Sequence, residues 1–563
     1  MKNYPYYEVD TIESIKDMIS NSVKKYGDKD AMLIKKKKGE PYTHITYKQL
    51  DKDVEALGTA FLDLNLSGKK VALMSETRYE WYISYLGAVN GESIIVPIDK
   101  ELPPQDWKHL LKIAKVSAVV YSNKFSEEML KAKEEVETLE YLINMDIEES
   151  TEDELSVWEL VKKGYEKTEN GDTRFKDVEI DVNEARILLF TSGTTAMSKG
   201  VLHCHRAIAK NLMNMCKMTF IGEKDIFLSV LPIHHTYECT CGFLAPLFRG
   251  CTIAQCEGLK SILKNISEAK PTMILGVPAI FEVMYKRIWA TAKKNGIESK
   301  LKFALKLSNG LRKIGIDIRR KLFKQVIDNF GGNLRLLISG AAAINPEVSK
   351  GFEDMGIAFL QGYGITECAP LVALNRDKFY KHDSAGYPCV GMEVKVVNAD
   401  DEGVGELICT GPNVMLGYYE NEEATNEVLK DGWFYTGDLA YIDDDGFIHI
   451  TGRKKNVIIA SNGKNVFPEE LETFLNEDPS ILESMVYQDG EDIAAIIVPN
   501  FDYIKESNKD ATKEDIEKII NEIVDALNKR NPLYKYIRKV EIRETELIKT
   551  TTKKIKRYEV IKK

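Results

Sequence analysis

The chain has 563 residues, which at roughly 100–200 residues per domain leaves room for several domains. Hydrophobic residues make up 44% and charged residues 29%, so the chain carries enough apolar surface to exclude a mainly disordered state. Asp and Glu outnumber Lys and Arg by 87 to 77, giving a net charge of −10. This balance argues against a dedicated nucleic-acid binder, which usually presents a basic face.

The first residues lack the basic-then-apolar layout of a signal peptide, and no run of about 18 apolar residues predicts a membrane-spanning helix. Nine cysteines lie between positions 204 and 409. An odd number of cysteines in a large chain favours buried thiols in a reducing cytoplasm over a disulfide framework. Cys239 and Cys241 lie near two histidines, but their spacing fits no familiar zinc site.

The first half of the chain alternates short apolar runs with helical patterns. Thr46, followed three residues later by Gln49, predicts a capping box at the start of a helix. A strand is predicted over 71–74 and a helix near 79–89. Further strand-like runs lie at 93–97, 118–121, 186–190, 226–231, 272–277 and 334–338. This alternation predicts parallel sheets in a layered α/β architecture.

The pattern changes after about Gly391. Short runs at 392–397, 405–409 and 446–451 predict a compact antiparallel region. A small α/β unit follows, and its clearest element is a helix capped by Thr512. The apolar stripe of that helix comprises Ile516, Ile519, Ile520, Ile523, Val524 and Leu527. We place a domain boundary near 452–455, which gives an N-terminal domain of 1–452 and a C-terminal domain of 453–563.

The segment 188–201, LLFTSGTTAMSKGV, runs from a buried strand into a loop of small and hydroxyl residues ending in Lys199. Small residues let backbone N–H groups approach phosphate oxygens, and the lysine adds a positive charge. The Gly-x4-Gly-Lys-Ser/Thr pattern of an ordinary P-loop is missing, so a P-loop NTPase is disfavoured. Alone, this loop is equally compatible with a surface turn.

Seven further motifs occur in order along the chain. They are LPIHHTYE at 231–238, SGAAAINPEV at 339–348, QGYGITE at 361–367, DGWFYTGDLA at 431–440, TGRKKNVI at 451–458, SNGKNVFPEELE at 461–472 and KTTTKKIKR at 549–557. In this order and spacing the set resembles the adenylate-forming superfamily over nearly the whole chain. The segments 78–89 and 231–238 are most similar to long-chain fatty acyl-CoA synthetases. The resemblance implies a large N-terminal domain of layered α/β sheets with a small antiparallel region, followed by a small, mobile α+β C-terminal domain.

The resemblance also implies roles for the phosphate-side residues. The loop that would hold the β and γ phosphates of ATP comprises Thr191, Ser192, Gly193, Thr194, Thr195 and Lys199. Glu367, with Thr194, would hold Mg²⁺, an ion that takes one or two carboxylates plus phosphate oxygens and water. Thr366 would bond the α-phosphate. The chain departs from the family pattern at Ala196, usually Gly, and at Ser198, usually Pro.

For the nucleoside, the resemblance implies that Tyr363 stacks on adenine while Gly340 and Ala341 border the base. Without the neighbouring motif, the residues alone favour a core tyrosine between two turn glycines. Asp438 would accept the ribose hydroxyls, a task that suits the two oxygens of a carboxylate. Arg453 would bond the ribose from the other side.

The remaining roles implied by the resemblance concern the acyl group and the C-terminal domain. His235 would line the acyl channel beside the reacting carboxylate, Lys455 would be the hinge, and Gly463 would border the passage for the pantetheine arm. Lys554 would be the catalytic lysine of the first step. Its register rests on Thr550 and Arg557, although Ile548 and Lys553 replace the Pro and Gly of the family pattern. The competing interpretation of this segment is a frayed basic tail.

Together these residues predict an ATP-dependent acid–thiol ligase. It would activate a fatty, long-chain carboxylic acid as acyl-AMP, release pyrophosphate, and transfer the acyl group to coenzyme A. The expected cofactors are ATP, Mg²⁺ and coenzyme A. No nucleic-acid partner is expected. Peripheral membrane contact through the substrate is compatible with the sequence. Two alternatives stay open, namely an enzyme that loads a separate carrier protein and a non-catalytic adenylate-binding homologue.

Overall fold

The computed structural model describes residues 4–191, 198–460, 464–507, 510–550 and 554–561. Its contacts divide the chain into two compact units. The first unit comprises the described parts of 1–191, 197–393 and 410–429, and the second those of 394–409 and 430–563. The predicted antiparallel region therefore groups with the C-terminal part of the chain. A boundary at 452–455 would be a division within the second unit, and it stays a prediction.

Strands make up most of the framework of both units. In chain order they are β1 (Asp30–Ile34), β2 (Thr43–Thr46), β3 (Lys70–Met74), β4 (Ile94–Pro97), β5 (Ala118–Tyr121), β6 (Tyr141–Asn144), β7 (Leu155–Ser156), β8 (Ala185–Phe190), β9 (Gly200–Cys204), β10 (Ile226–Ser229), β11 (Thr252–Gln255), β12 (Met273–Gly276), β13 (Leu336–Ser339), β14 (Ala358–Gly364), β15 (Leu371–Leu374), β16 (Tyr387–Pro388), β17 (Glu393–Val397), β18 (Gly405–Thr410), β19 (Gly417–Tyr418), β20 (Leu429–Lys430), β21 (Trp433–Ile442), β22 (Ile448–Arg453), β23 (Ile458–Ile459), β24 (Asn465–Val466), β25 (Ile481–Asp489), β26 (Asp492–Pro499) and β27 (Ile537–Ile542).

Helices cover the sheets and connect them. In chain order they are α1 (Ile15–Tyr26), α2 (Tyr47–Asp63), α3 (Tyr79–Asn90), α4 (Pro104–Ala114), α5 (Ser126–Glu135), α6 (Val157–Glu169), α7 (Arg174–Asp177), α8 (His205–Met218), α9 (Ala245–Phe248), α10 (Ile262–Ala269), α11 (Pro278–Lys294), α12 (Glu298–Lys313), α13 (Arg319–Leu322), α14 (Lys324–Asn329), α15 (Pro346–Asp354), α16 (Glu422–Val428), α17 (Pro468–Glu477), α18 (Phe501–Ser507), α19 (Lys513–Arg530) and α20 (Arg557–Ile561). A π-helical segment, Tyr237–Leu244, precedes α9.

Two large sheets form the first unit. One has nine strands in the order β16-β15-β14-β13-β12-β10-β11-β1-β2, and the other has eight in the order β19-β9-β8-β4-β3-β5-β6-β7. The central strands of both pair in parallel, for example β12 with β13 and β3 with β4, whereas β9 and β15 pair antiparallel with their neighbours. All four residues of β12 and of β13 are buried, which is typical of parallel strands covered on both faces. The predicted layered α/β architecture is confirmed.

The predicted elements differ from the observed ones mainly at their ends. β10 ends at Ser229 rather than at residue 231, and β13 begins at Leu336 rather than at residue 334. At α2, the Thr46 hydroxyl accepts a hydrogen bond from Gln49 N as predicted. The predicted return bond from the Gln49 side chain to the start of the helix is wrong, because the Gln49 amide donates to Asp53 and Tyr165 instead. The hydrogen bond to Tyr165 of α6 thus takes the place of a bond within the first turn of α2.

The second unit contains an antiparallel sheet and a small α+β body. β18 pairs antiparallel with β21, and β21 with β22, which confirms the predicted antiparallel region. In the small body β25, β26 and β27 form one sheet. Thr512 and Asp515 complete a reciprocal capping box at the start of α19. The predicted stripe of α19 packs into the core of this body, centred on Ile520.

All nine cysteines are free and buried, as predicted. Burial raises the pKa of the Cys239 thiol to about 12, which makes it a weak nucleophile and metal ligand. Among the residues that the structure describes, no group of three or more His, Cys, Asp or Glu side chains is placed to hold a metal ion. Nor does any helix in this part of the chain combine the length and apolar character needed to cross a membrane.

Candidate functional site

The phosphate-binding loop predicted by the sequence leaves β8 and re-enters the sheet at β9. The two strands pair antiparallel up to the loop, and Thr191 N donates to Lys199 O over 3.0 Å. The loop is therefore closed at its base by a backbone bond. Four of the predicted loop residues, Ser192, Gly193, Thr194 and Thr195, lie outside the described residues, as does Ala196. The proposed Mg²⁺ contact of Thr194 is among them.

Tyr418 connects the loop lysine to the predicted magnesium carboxylate. The Lys199 ammonium lies 4.7 Å from the centre of the Tyr418 ring, a distance at which a cation is attracted to an aromatic face. The Tyr418 hydroxyl donates to Glu367 Oε1 over 2.9 Å. β19, which carries this tyrosine, pairs with β9 directly after the loop. Lys199 and Glu367 therefore both contact the Tyr418 side chain, the first at its ring and the second at its hydroxyl.

Tyr418 is not among the site residues predicted from the sequence. It belongs to none of the eight motifs, and it reaches Glu367 across 51 residues of chain. The only local signal is the Gly417-Tyr418 pair. Gly417 has a φ of 150° and packs against Thr425, so the glycine lets a two-residue strand fit against its neighbours.

His203 is a second contact between the loop strand and the Thr-Glu motif. It lies in β9 and donates from Nε2 to the backbone oxygen of Thr366 over 2.6 Å. Burial lowers the pKa of His203 to about 4, so the ring is neutral near pH 7 and carries its proton on Nε2. Its Nδ1 is buried without a hydrogen-bond partner among the described residues. The predicted α-phosphate residue is therefore held from the strand that comes directly after the phosphate loop.

The predicted adenine region lies at the ends of β13 and β14. A Cβ atom on Gly340 would lie only 3.0 Å from Tyr237 Cζ, so a larger residue there would force the tyrosine to move. The Tyr237 hydroxyl donates to Ile338 O over 3.1 Å. Ala341 adopts a φ of +71°, a conformation that costs an L-residue about 1 kcal/mol or more. Tyr363 lies near the end of β14 and is partly exposed.

The predicted acyl channel begins at the π-helical segment, and π-helical turns frequently occur at functional sites. His235 Nδ1 accepts a hydrogen bond from Tyr237 N over 3.2 Å, which orients the ring of the predicted channel residue. Glu238 is buried and accepts a hydrogen bond from the Ser229 hydroxyl over 2.5 Å. Burial raises the pKa of Glu238 to about 8, so this carboxyl is mainly protonated at neutral pH.

In the second unit, the two predicted ribose residues face each other across β21 and β22. Asp438 and Arg453 are register partners, and Arg453 Nε donates to Asp438 Oδ1 over 2.7 Å. The Asp438 side chain is buried while that of Arg453 is partly exposed. A charge-assisted bond of this kind fixes the orientation of the carboxylate. Asp438 N also donates to Thr436 Oγ1, which holds the backbone at this point.

The predicted hinge residue lies two positions after Arg453. Lys455 belongs to a short 3₁₀ turn, Lys454–Asn456, and its pKa is lowered by burial and by the charge of Arg453. Its neighbour Lys454 is anchored, since its ammonium lies 2.8 Å from the buried Glu406 carboxylate. Ala460 N donates to Lys464 O, and Gly463, which falls between them in the sequence, lies outside the described residues.

The C-terminal basic segment is folded on both sides of residues 551–553, which lie outside the described residues. Thr550 N donates to Lys554 O over 2.8 Å, and Lys554 N donates to Thr550 Oγ1 over 3.2 Å. Lys549 forms an ion pair with Glu483. The described residues of this segment therefore form a closed hairpin rather than a frayed tail. Lys553, which stands where the family pattern has glycine, lies outside the described residues.

Arg557 fixes the end of this hairpin. Its guanidinium lies 2.6 Å from the Glu472 carboxylate and donates to Val486 O over 2.8 Å. Burial raises the pKa of Glu472 to about 7, although Arg557 acts against this shift. Thr550 and Arg557, the two residues on which the register of Lys554 rests, are thus both structural anchors. The exposed Lys554 is held between them.

The family comparison agrees with this organisation. A family model described as AMP-binding enzyme matches residues 19–419, and a second, described as AMP-binding enzyme C-terminal domain, matches residues 455–563. The chain belongs to the AMP-binding enzyme family. The resemblance to adenylate-forming enzymes inferred from the eight motifs is confirmed.

Curated relatives match almost the whole chain at low identity. A long-chain-fatty-acid–CoA ligase of Escherichia coli O6:H1 is 26% identical over 590 residues, covering 98% of this chain and 94% of that protein. Long chain acyl-CoA synthetase 1 of Arabidopsis thaliana is 27% identical, covering 88% and 80%. A chloroplastic long-chain-fatty-acid–[acyl-carrier-protein] ligase of the same plant is 25% identical, covering 90% and 79%.

Solved structures share the fold. The anthranilate CoA ligase AuaEII, in complex with anthranoyl-AMP, superimposes with a TM-score of 0.78 at 22% identity, covering 100% of this chain and 98% of that one. ATP-bound MatB from Rhodopseudomonas palustris gives a TM-score of 0.75 at 21% identity, covering 96% and 97%. These likenesses confirm the predicted fold class.

Proposed function

We propose that the protein is an ATP-dependent acid–CoA ligase that activates a long-chain fatty acid as its acyl-adenylate and then forms the acyl-CoA thioester. The observation that carries the proposal is the arrangement of Lys199, Tyr418 and Glu367 where the predicted phosphate loop meets β9. It places a cation and a carboxylate in one unit, in a chain whose family binds AMP.

The phosphate chemistry rests on these groups. Lys199 is the charge that would face the β and γ phosphates, as the family resemblance implies. Glu367 fits Mg²⁺, because a carboxylate oriented by a tyrosine hydroxyl matches an ion that is otherwise satisfied by phosphate oxygens and water. When bound, Mg²⁺ supplies neutralisation of phosphate charge. Thr366, held through its backbone by His203, would donate to the α-phosphate.

The family resemblance implies the roles of the residues that would bind the nucleoside. Tyr363 would stack on adenine, and Gly340 and Ala341 would border it. Asp438 would accept the ribose hydroxyls, with its orientation fixed by Arg453. Because these contacts form with the substrate and persist through the reaction, they contribute mainly to binding and positioning.

In the adenylation step the protein forms no covalent bond with the substrates. The acyl carboxylate attacks the α-phosphorus of ATP and pyrophosphate leaves, so catalysis depends on positioning and on stabilising negative charge. Lys554 is the group that would stabilise this charge, and His235 would border the reacting carboxylate. In the second step the thiol of coenzyme A attacks the acyl carbonyl and AMP leaves. We assign Lys455 the hinge between these steps and Gly463 the edge of the thiol passage.

The choice of acid is supported by the relatives. Two of them, in Escherichia coli and Arabidopsis, are named for long-chain fatty acids or long-chain acyl-CoA, and the motif segments 78–89 and 231–238 resemble the same group. A carrier protein as acyl acceptor is the second candidate, because one relative of similar identity is named as an acyl-carrier-protein ligase. We place the protein in the cytoplasm, where its nine buried cysteines would stay reduced.

The test is pyrophosphate release by the purified protein with MgATP and a panel of acids from acetate through palmitate and oleate to aromatic acids, each with and without coenzyme A. Sustained release that needs both a long-chain acid and coenzyme A supports the proposal. Release that an acid supports but coenzyme A does not accelerate would favour a carrier-protein acceptor. No release with any acid from folded, ATP-binding protein would favour the non-catalytic homologue.

Tyr418→Phe tests the observation that carries the proposal. The variant keeps the ring beneath Lys199 and removes the hydroxyl that bonds Glu367. We expect the concentration of Mg²⁺ needed for half-maximal release to rise about tenfold, the scale on which partners of metal ligands act. Tyr418→Leu, which also removes the ring, should be worse. An unchanged Mg²⁺ requirement in Tyr418→Phe would contradict the arrangement.

A further inference from the structure

The helical segment after β12 differs in charge from the rest of the protein. Between residues 278 and 324 it contains thirteen Lys or Arg and three Asp or Glu, whereas the whole chain has a net charge of −10. This segment spans α11, α12 and α13. A concentrated positive charge on an otherwise acidic protein produces a local positive potential that attracts anionic surfaces.

α12 presents an apolar stripe to solvent. Phe303 is 68% exposed and Leu307 45%, and Ile314, directly after the last residue of the helix, is 70% exposed. Their spacing of four and seven residues places them on one side of the helix. The stripe is about 16 Å long at 1.5 Å per residue. Contiguous exposed apolar residues of this kind mark interaction sites more often than isolated ones do.

Lysines flank the stripe on both sides. At 100° per residue, Lys300 falls on one side of the stripe and Lys306 and Lys313 on the other. In the part of the chain that the structure describes, these three ammonium groups have no carboxylate within ion-pair distance. Lys302 and Arg312, by contrast, are paired with Glu298 and Glu353. The unpaired cations are thus the ones beside the apolar stripe.

The opposite side of α12 is packed. Leu301 and Leu305 are partly buried, and Ser308 is fully buried. Arg312 reaches Glu353 of α15 over 2.7 Å, which anchors the helix to the body of the first unit. The exposed side is therefore not required for the packing of this helix.

We propose that the exposed side of α12 docks on an anionic phospholipid surface. The apolar stripe of Phe303, Leu307 and Ile314 would enter the headgroup region, and the flanking lysines would contact lipid phosphates. An amphipathic helix with apolar residues on one face and lysines beside them is the arrangement that lies in a membrane interface. A second copy of this chain is a poorer occupant, because two such faces would bring lysines against lysines. The inference concerns binding and does not depend on the ligase activity.

The experiment is co-sedimentation of the full-length protein with vesicles of phosphatidylcholine alone or containing about one-third phosphatidylglycerol. We expect sedimentation with the anionic vesicles that falls as salt is raised, since the attraction is screened. The triple variant K300E, K306E and K313E should bind roughly 100-fold more weakly, at about a factor of several per lysine. The triple variant F303S, L307S and I314S should also lose binding, through the apolar part.

The matched control reverses the same number of charges elsewhere. Lys36, Lys37 and Lys38 form an exposed basic run in the first unit, and the variant K36E, K37E and K38E should retain most of the vesicle binding. Equal losses in both charge variants, or equal binding to neutral and anionic vesicles, would overturn the proposal. Sedimentation velocity of the protein alone supplies a further test. A dimer that the F303S, L307S and I314S variant dissociates would assign the face to a second copy instead.

Discussion

Two buried histidines, one in β9 and one at the start of α8, illustrate how position decides a role. His203 bonds the backbone of Thr366, in the motif assigned to the α-phosphate. His205, two residues later, accepts a hydrogen bond from Ile15 N and donates to Val89 O. Burial lowers the pKa of each to about 4. Both are neutral near pH 7, but they hold different parts of the unit.

His203→Leu removes the bond that positions Thr366, and we expect the rate of adenylation to fall tenfold or more. One hydrogen bond lost from a positioned group corresponds to about 1–1.5 kcal/mol. Thioester formation from supplied acyl-adenylate should change little. His203→Gln, whose amide retains a donor at the position of Nε2, should recover part of the loss. The measurement is single-turnover kinetics of each half-reaction.

His205→Leu serves as the control for the two His203 variants. It should lower the thermal stability of the protein while leaving the ratio of the two half-reaction rates unchanged. If His203→Leu and His205→Leu reduced both half-reactions by the same factor, His203 would be a structural residue only.

Glu238 gives a pH dependence of stability with a defined sign. Burial raises its pKa from 4.5 in the unfolded chain to about 8 in the folded protein. Between these values the folded state binds a proton that the unfolded state has released, so the free energy of unfolding falls as pH rises. Cys239, with a pKa raised to about 12, and the buried Tyr82 and Tyr237 face this group. They do not titrate in this range.

Glu238→Gln should therefore remove this part of the pH dependence. The amide keeps an oxygen that accepts the Ser229 hydroxyl bond, but it cannot ionise. We expect the variant to gain stability relative to the parent protein as pH rises from about 5 to 8, measured by urea unfolding at each pH. A stability difference between the two proteins that stays constant across this range would contradict the raised pKa.

Among the helices and strands, the sequence pattern predicted those features that depend on interactions between residues close together in the chain. The buried runs of β5 and β8 and the cap of α19 depend on apolar burial and on hydrogen bonds within a few residues, and all were predictable. The failures involve distant partners. The Gln49 side chain donates to Tyr165 of α6 instead of completing the capping box of its own helix. Tyr418, which bonds Glu367, lies in a two-residue strand whose position is set by its pairing with β9. Periodicity carries no information on such contacts.

The C-terminal hairpin makes the assignment of the catalytic lysine testable at the same scale. Thr550 and Lys554 bond each other at the base of the loop, and Arg557 anchors the start of α20. Lys554→Ala should lower adenylation by about two to three orders of magnitude, the scale of removing one charge-stabilising donor. It should largely spare thioester formation from supplied acyl-adenylate. Lys553→Ala is the neighbouring control and should be much milder, and if it were the worse variant the register would be wrong.

Each of the two units has a hydrophobic core of its own. Leu337 lies fully buried in one core of the first unit, and Ile520 lies fully buried in the core of the second. The sequence predicts two bodies with a boundary near 452–455, and that boundary stays a prediction, because a change of strand pattern does not say which neighbours the strands contact. Separate cores imply that unfolding need not be a single cooperative event.

Calorimetry of the full-length protein should therefore show more than one unfolding transition. Leu337→Ala and Ile520→Ala each remove most of a buried side chain, at an expected cost of about 2–5 kcal/mol. Each should lower the temperature of one transition and leave the other nearly in place. MgATP should raise the transition that Leu337→Ala lowers, since Lys199 and Glu367 lie in the first unit and a ligand stabilises the state that binds it. A single transition that both substitutions lower equally would mean that the two cores unfold as one.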